Sequence, residues 1–120
     1  IGVVEGDTHD IGKNLVKIML ETAGFRMIDL GRDVPLDKFV ETVQEENADF
    51  ICLSTLMTTT MGGMETVIKL LDEAGLRKKV KVMIGGGPIS QKYADRIGAD
   101  GYSQNAVEAV KLAKRLLNIA

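Results

Sequence analysis

The chain has 120 residues, of which 45% are hydrophobic and 27% are charged, a composition typical of one ordinary folded domain. Acids and bases are interspersed, the formal net charge is -2 and the pI is about 5.4, so no basic stripe suggests a nucleic-acid partner. No apolar run approaches the roughly 20 residues of a membrane-spanning helix, so we expect no membrane partner. The single cysteine, Cys52, lies in an apolar run, which favours a buried thiol and a reducing, cytoplasmic location.

The first half of the chain contains two pairs of an apolar run and a helical segment. Ile1–Val4 and Phe25–Leu30 are predicted strands. Between them, a helix is predicted to begin at Ile11 and to be closed by Gly24. Its apolar residues recur at helical spacing: Ile11, Leu15, Ile18 and Met19. Pro35 suits the first turn of a second helix. The predicted inner face of that helix consists of Leu36, Phe39, Val40 and Val43.

The second half continues the same alternation. Asp49–Ser54 is the third predicted strand, and it is apolar enough to be central. A third helix follows and ends at Gly75. Its predicted inner face consists of Met64, Val67, Ile68 and Leu71. Val80–Ile84 is the fourth strand, and a short helix from Ser90 to Ile97 leads to a weak fifth strand, Asp100–Tyr102. The apolar residues of the last helix are Val107, Val110, Ala113 and Leu117.

Strict alternation of strand and helix predicts one α/β domain over residues 1–120, with right-handed crossovers and a parallel sheet covered on both faces. Five such units favour a doubly wound, Rossmann-like or flavodoxin-like sheet with the strand order 2-1-3-4-5. In such sheets ligands bind beyond the carboxyl ends of the strands, where the strand order reverses.

Three unusual loops should meet at that edge. Asp7 to Gly12 follows the first strand and contains the only histidine, His9. Ser54 to Gly63 lies at the end of the third strand and is rich in hydroxyls and methionine. Gly85 to Gly87 follows the fourth strand. Their expected proximity predicts a ligand site.

Each loop also has a purely structural interpretation, and these alternatives stay open. The glycines are common turn residues, Ser54 and Thr58–Thr60 could cap the third helix, and Asp10 could cap the first. The methionines are often core filler. His9 is harder to explain in this way, because it lies in a loop, two residues from Asp7, at the expected site.

Several chemistries fit the loops poorly. A phosphate-binding P-loop needs four residues between its glycines and a Ser or Thr after the lysine, whereas five residues separate Gly6 from Gly12 and Asn14 follows Lys13. One histidine with scattered carboxylates is too few for a zinc site. Ser54 stands where a receiver domain needs an aspartate, and a Ser-His-Asp hydrolase would lack its nucleophile elbow. One imidazole beside one carboxylate suits a single axial bond to a large metal cofactor.

Three spaced elements resemble the DxHxxG, SxL and GG signature of cobalamin-binding domains. They are Asp7-x-His9-x-x-Gly12, Ser54-x-Leu56 and Gly85-Gly86, with 41 residues between the first two elements and 28 between the last two. The resemblance covers essentially the whole chain and implies cobalamin or a related corrinoid as the cofactor. In this family the corrinoid binds with its own lower base displaced, and its nucleotide tail enters a cleft beside the sheet.

The resemblance implies roles for the matching residues. His9 would be the lower axial ligand of the cobalt, and Asp7 would bind its other imidazole nitrogen. Thr60 falls where methionine synthase has a serine that completes this relay. Ser54 would hydrogen-bond the displaced base, with Leu56 packing beside it.

Other residues would contact the corrin or its tail. Gly12 would allow close approach at the start of the first helix, and Gly85 and Gly86, with Gly87 beside them, would let the tail pass close to the backbone. Further contacts are expected from neighbouring residues: Thr8, Asp10, Ile11 and Thr58.

The stretch VEGDTHDIGKNLV resembles methyl-carrying corrinoid proteins and methionine synthase. This implies a carrier that accepts a methyl group on cobalt from a substrate-specific methyltransferase and passes it to a second methyltransferase, which uses tetrahydrofolate or coenzyme M. Such a chain is a component of a methyltransferase rather than a stand-alone catalyst.

Two other functions remain open: a subunit of an adenosylcobalamin-dependent mutase and a cobalamin-sensing regulator. Because the chain starts at Ile1 without a methionine, we expect it to be part of a longer chain. Its end at Ala120, soon after the last helix, resembles the small corrinoid subunits of anaerobic methyltransferase systems, and this resemblance implies a helical cap domain before residue 1.

Overall fold

The computed structural model of the protein describes residues 1–119, which form a five-stranded parallel sheet in the order β2-β1-β3-β4-β5. The strands are β1 Gly2–Val4, β2 Gly31–Val34, β3 Phe50–Ser54, β4 Lys81–Gly85 and β5 Gly101–Tyr102. β3 and β4 have the longest register, from Phe50 opposite Lys81 to Ser54 opposite Gly85. The predicted fold class and strand order are therefore confirmed.

Within residues 1–119, five α-helices connect the strands and cover both faces of the sheet. They are α1 Ile11–Thr22, α2 Leu36–Glu46, α3 Gly62–Glu73, α4 Gln91–Ile97 and α5 Ala106–Leu116. Short 3-10 helices span Thr58–Thr60 and Arg77–Lys79. α2, α3 and α4 pack on one face, and α1 and α5 on the other. No helix in this range is long and apolar enough to span a bilayer.

The position predicted for the second strand is wrong. β2 consists of the more polar residues Gly31–Val34, whereas Phe25–Leu30 is an irregular segment that leads into it. That segment still pairs with the start of β1, because the amino group of Ile1 donates to the Ile28 carbonyl and the Leu30 N–H donates to the Ile1 carbonyl, both at 2.8 Å. Its apolar side chains pack on the core, with Phe25 edge-on to Phe50. Core packing, not a strand ladder, explains its hydrophobicity.

The apolar face predicted for α1 points away from the core. Three of its four residues are largely exposed: Ile11, Leu15 and Ile18. The buried residues are Lys13 and Leu20. Lys13 is only 3% exposed, and its ammonium group hydrogen-bonds both carboxylate oxygens of Asp29, at 2.8 and 2.9 Å. This ion pair allows a charged residue to take a core position, so that the apolar residues lie on the opposite side of the helix.

The inner faces predicted for α2 and α3 are confirmed. The buried residues of α5 are mostly small: Ala106, Ala109, Leu112 and Ala113. Of the apolar residues predicted for this helix, Ala113 is buried and Val107 is exposed. Cys52 is buried, as predicted, and lies on the same side of the sheet as α5. Burial raises the pKa of its thiol to about 11.

Candidate functional site

A cleft of about 490 Å³ opens between α1 and α5 and reaches the carboxyl edge of the sheet. Seven of the predicted site residues line it: His9, Gly12, Ser54, Leu56, Gly85, Gly86 and Gly87. The cleft therefore brings together residues from all three predicted loops. A smaller cavity of about 270 Å³, bordered by Phe25 and Glu46, contains none of the predicted site residues.

The other predicted residues lie around this cleft rather than in its wall. Asp7 is buried behind His9, and Thr60 is half-buried beyond it. Four residues lie outside the lining at exposed or partly exposed positions: Thr8, Asp10, Ile11 and Thr58. Contacts between these four and a cofactor stay predictions.

Sequence analysis missed the loop after β5. Its residues Ser103, Gln104 and Asn105 also line the cleft, and they bring polar groups to the wall beside Gly85. Asn105 caps α5 by accepting the Glu108 N–H at 2.9 Å. The signal was present in the sequence, since this loop also follows a parallel strand and so lies at the same edge of the sheet.

Asp7 and His9 form the centre of the site. His9 Nδ1 lies 2.6 Å from Asp7 Oδ1, and the His9 backbone N–H donates to the same oxygen at 2.9 Å. The Asp7 side chain is fully buried, whereas the His9 side chain is 53% exposed. Because a carboxylate is an acceptor, the imidazole carries its proton on Nδ1, and the lone pair of Nε2 is left for a metal ion.

Asp7 remains a carboxylate despite its burial. Burial alone would raise the pKa of Asp7, but hydrogen bonds from the His9 and Leu56 backbones, the Thr55 hydroxyl and the His9 ring lower it, and together they hold the pKa well below its usual range. The Leu56 N–H and the Thr55 hydroxyl donate to Oδ2, each at 2.7 Å. Both carboxylate oxygens are thus fully engaged, which fixes the orientation of the imidazole.

The end of β2 holds the loop that carries this pair. The Asp33 side chain accepts the Gly6 N–H, and the Asp33 N–H donates to the Asp7 carbonyl, both at 2.8 Å. Asp33 makes both bonds with a left-handed φ of +49°. The polar residues of β2 are the reason why the sequence did not predict this strand. One of them, Asp33, supports the loop that carries Asp7 and His9.

Thr55 is a further residue of the site that sequence reasoning missed. Its side chain is 0% exposed, and its hydroxyl, not that of Thr60, contacts Asp7. Thr60 Oγ1 lies 2.5 Å from Thr55 Oγ1, so Thr60 reaches Asp7 through Thr55. Side chains alternate along a strand, and since Ser54 faces the cleft, the next residue faces the opposite side. The alternation predicts the side on which Thr55 lies, but it does not predict the hydrogen bond to Asp7.

The glycines of the site are required for different reasons. A β-carbon on Gly12 would meet nothing within 4 Å, so this position borders open space in the cleft. A β-carbon on Gly86, whose φ is +130°, would lie 1.8 Å from the Thr55 carbonyl oxygen. Gly12 thus leaves room for a ligand, whereas Gly86 leaves room for the protein's own backbone.

The described residues contain no cluster of three His, Cys, Asp or Glu side chains able to hold a metal ion by themselves. The B12 binding domain model matches residues 1–111. The chain belongs to the B12 binding domain family.

Curated relatives and solved structures agree with this family. Dimethylamine corrinoid protein 3 of Methanosarcina mazei is 61% identical over 116 residues, which are 97% of this chain and 70% of the relative. The monomethylamine corrinoid protein of Methanosarcina barkeri has a TM-score of 0.92 and 42% identity, over 96% of this chain and 56% of that one. The methanol:cobalamin methyltransferase complex of M. barkeri has a TM-score of 0.88 and 37% identity, over 98% of this chain and 46% of that one. The chain thus spans roughly half to two thirds of the length of these proteins.

The cofactor of this B12 binding domain is therefore cobalamin or a related corrinoid, and the residues present fit it. His9 would hold the group through Nε2, and the corrin ring itself would supply the remaining nitrogen donors to the cobalt. The wall at Gly12 has no side chain, so a bulky group can approach the backbone there. Apolar Leu56 and polar Ser103 line the same cleft, which suits the mixed chemistry of a nucleotide tail.

Proposed function

We propose that this chain is the corrinoid-carrying domain of a methyltransferase system whose methyl donor is a methylamine, with dimethylamine as the first candidate. The observation that carries the proposal is His9, whose Nδ1 is held by the buried carboxylate of Asp7 and whose Nε2 is free. The 61% identity to a dimethylamine corrinoid protein supports the class of donor.

When bound, the corrinoid supplies a cobalt centre that can accept a methyl group and release it again. The chain supplies the ligand and its support. Asp7 keeps the imidazole proton on Nδ1, so that His9 presents Nε2 as a neutral donor, and the backbone N–H groups of His9 and Leu56 keep Asp7 in place. The cleft between α1 and α5 would receive the nucleotide tail.

Corrinoid proteins of this kind work with methyltransferases, as the methanol:cobalamin methyltransferase complex illustrates. For this chain we propose two partners, a methyltransferase that demethylates the amine and an acceptor methyltransferase that uses coenzyme M or tetrahydrofolate. Support comes from the open rim of the site, where Leu56 and Ile11 are exposed apolar residues near the half-exposed His9. Such residues suit a transient protein contact. The buried thiol of Cys52 supports action in the reducing cytoplasm.

The test is to load the protein with hydroxocobalamin, reduce it, and supply an amine together with its methyltransferase. We expect cofactor methylation, followed by its visible spectrum, with dimethylamine and less with monomethylamine or trimethylamine. Tight binding of adenosylcobalamin with no methylation by any amine would contradict the proposal and favour a mutase subunit.

A further inference from the structure

The floor of the cleft has a position without a side chain between two serine hydroxyl groups. Ser54, at the end of β3, lies opposite Gly85, at the end of β4. On the other side of Gly85, Ser103 follows β5, and its hydroxyl oxygen lies 3.5 Å from the point that a β-carbon on Gly85 would occupy. All three residues line the cleft. A hydroxyl group thus lies on each side of a bare stretch of backbone.

The sheet fixes the position of Ser103. β5 continues the ladder of β4, with Met83 opposite Gly101 and Ile84 opposite Tyr102. The Ser103 N–H then donates to the Ile84 carbonyl at 3.1 Å. Because side chains alternate along a strand, Ser103 lies on the same face as Gly101, which α5 covers. The Ser103 hydroxyl therefore belongs to the face of the sheet on which the cleft opens.

The open part of this floor runs across the strands rather than along them. The next residues of β3 and β4 on the same face are Cys52 and Met83, a facing pair that is only 6% and 2% exposed. Their side chains close the floor in the direction away from the carboxyl edge. What stays open is a slot from Ser54 over Gly85 to Ser103, and such a slot suits a flat ring with one hydroxyl at each edge.

We propose that Ser103 is a specificity-determining residue for the lower base of the corrinoid, and that it favours bases with a hydrogen-bonding substituent over bases with a methyl group. This inference deepens the proposed function and rests on its nucleotide tail entering the cleft. Ser54 is expected to hold the ring nitrogen of the displaced base. The opposite edge of the same ring would then reach Ser103.

The preference follows from what a serine hydroxyl can bind. It donates one hydrogen bond and can also accept, so it pairs with a hydroxyl or an amino substituent. A methyl group in the same place would cover the hydroxyl of Ser103 without bonding to it, and a polar group that loses water without gaining a partner costs free energy. A site of this kind discriminates mainly by rejecting the ligand that lacks the hydrogen-bonding group.

The test is the affinity of the cofactor-free protein for two cobamides, corrinoids with a complete tail, measured by titration calorimetry. One carries hydroxybenzimidazole and the other methylbenzimidazole, whose substituents are similar in size. The unchanged protein should bind the hydroxyl form about threefold to tenfold more tightly. Ser103→Ala should reduce this ratio to about twofold or less. Thr66→Ala, which removes an exposed hydroxyl of α3 on the opposite face of the sheet, is the matched control and should keep the ratio.

Equal binding of the two cobamides by the unchanged protein, or tighter binding of the methyl form, would overturn the inference. A ratio that Ser103→Ala leaves intact would overturn it as well. If Ser103→Ala does not fold, the ratio of the unchanged protein decides alone: tighter binding of the hydroxyl form supports the inference. Failure of the proposed function is distinguishable as absent amine-dependent methylation, because the cobamide affinities need neither an amine nor a methyltransferase.

Discussion

A β-carbon on Gly86 would lie 1.8 Å from the carbonyl oxygen of Thr55. The same residue has a φ of +130°, which side-chain-bearing residues rarely adopt. The glycine loop after β4 is thus pressed against the backbone that carries Thr55, and the loop and the relay behind His9 depend on one another.

Gly86→Ala is therefore expected to destabilise the fold by about 3 kcal/mol or more, because backbone strain adds to a clash with backbone atoms. Urea unfolding of the cofactor-free protein measures this. Gly98→Ala is the matched control: Gly98 also has a positive φ, +82°, but a β-carbon there meets nothing within 4 Å. It should cost only about 1 kcal/mol. Equal costs at the two positions would show that the contact with Thr55 is unimportant.

The parts of the fold that could be predicted from the sequence are those determined by the spacing of hydrophobic residues or by a short sequence motif. Alternating apolar runs and helical spacing predicted the strand order, and the motif around Asp7 and His9 predicted a pair that the structure places 2.6 Å apart. The parts that failed depend on specific partners. The charge of Lys13 is tolerated at a buried position because Asp29 pairs with it. Neither residue type, taken by itself in the sequence, predicts that the two form a buried ion pair.

The same distinction applies within the site. Gly12 and Ser54 could be assigned because they match the DxHxxG and SxL signature, and the loops that carry them were expected at one edge of the sheet. Thr55 could not be ranked above its hydroxyl-bearing neighbours, because its importance comes from a hydrogen bond to a residue 48 positions away. β2 was misplaced because Gly31–Val34 is more polar than the apolar connector that precedes it.

Gly12→Ala is expected to separate stability from cofactor binding. The new β-carbon enters open space and replaces a glycine in a helix, so the cofactor-free protein should gain about 0.5–1 kcal/mol. The same methyl group narrows the cleft, and cobalamin affinity should fall by about tenfold or more. Gly62→Ala is the control, since Gly62 is also in the first turn of a helix with open space around it but lies away from the cleft. Unchanged affinity for Gly12→Ala would show that no cofactor approaches this wall.

The ion pair of Lys13 and Asp29 should make stability depend on pH. Burial alone would raise the pKa of Asp29, but the hydrogen bonds and charges, chiefly of Lys13, lower it below its ordinary value. A carboxylate with a depressed pKa stabilises the folded state above the pKa of the unfolded chain, about 3.9, and loses that contribution as the pH falls through the lower folded value. Unfolding free energies of the cofactor-free protein should therefore fall between about pH 5 and pH 3.

Asp29→Asn should reduce this pH dependence. At pH 7 it should lower the free energy of unfolding by about 3 kcal/mol, because it leaves the buried ammonium group of Lys13 without its carboxylate. Lys13→Met should cost less, since the side chain of Asp29 is 24% exposed and can be solvated. Glu108→Gln, in an exposed pair with Lys111, should change stability by less than about 0.5 kcal/mol. If Lys13→Met lowered the unfolding free energy more than Asp29→Asn, the result would contradict the buried position of the lysine.

His9→Gly should remove the axial nitrogen while leaving the cleft intact. The half-exposed ring makes its side-chain hydrogen bond only to Asp7, so its loss should not unfold the protein. Bound methylcobalamin should then show the spectrum of the form without a lower nitrogen ligand at pH 8, where the unchanged protein shows the ligated form. Added imidazole should restore the ligated spectrum, because it can occupy the space vacated beside Asp7. If His9→Gly gave the ligated spectrum without imidazole, another group would be the ligand, and the assignment of His9 would be wrong.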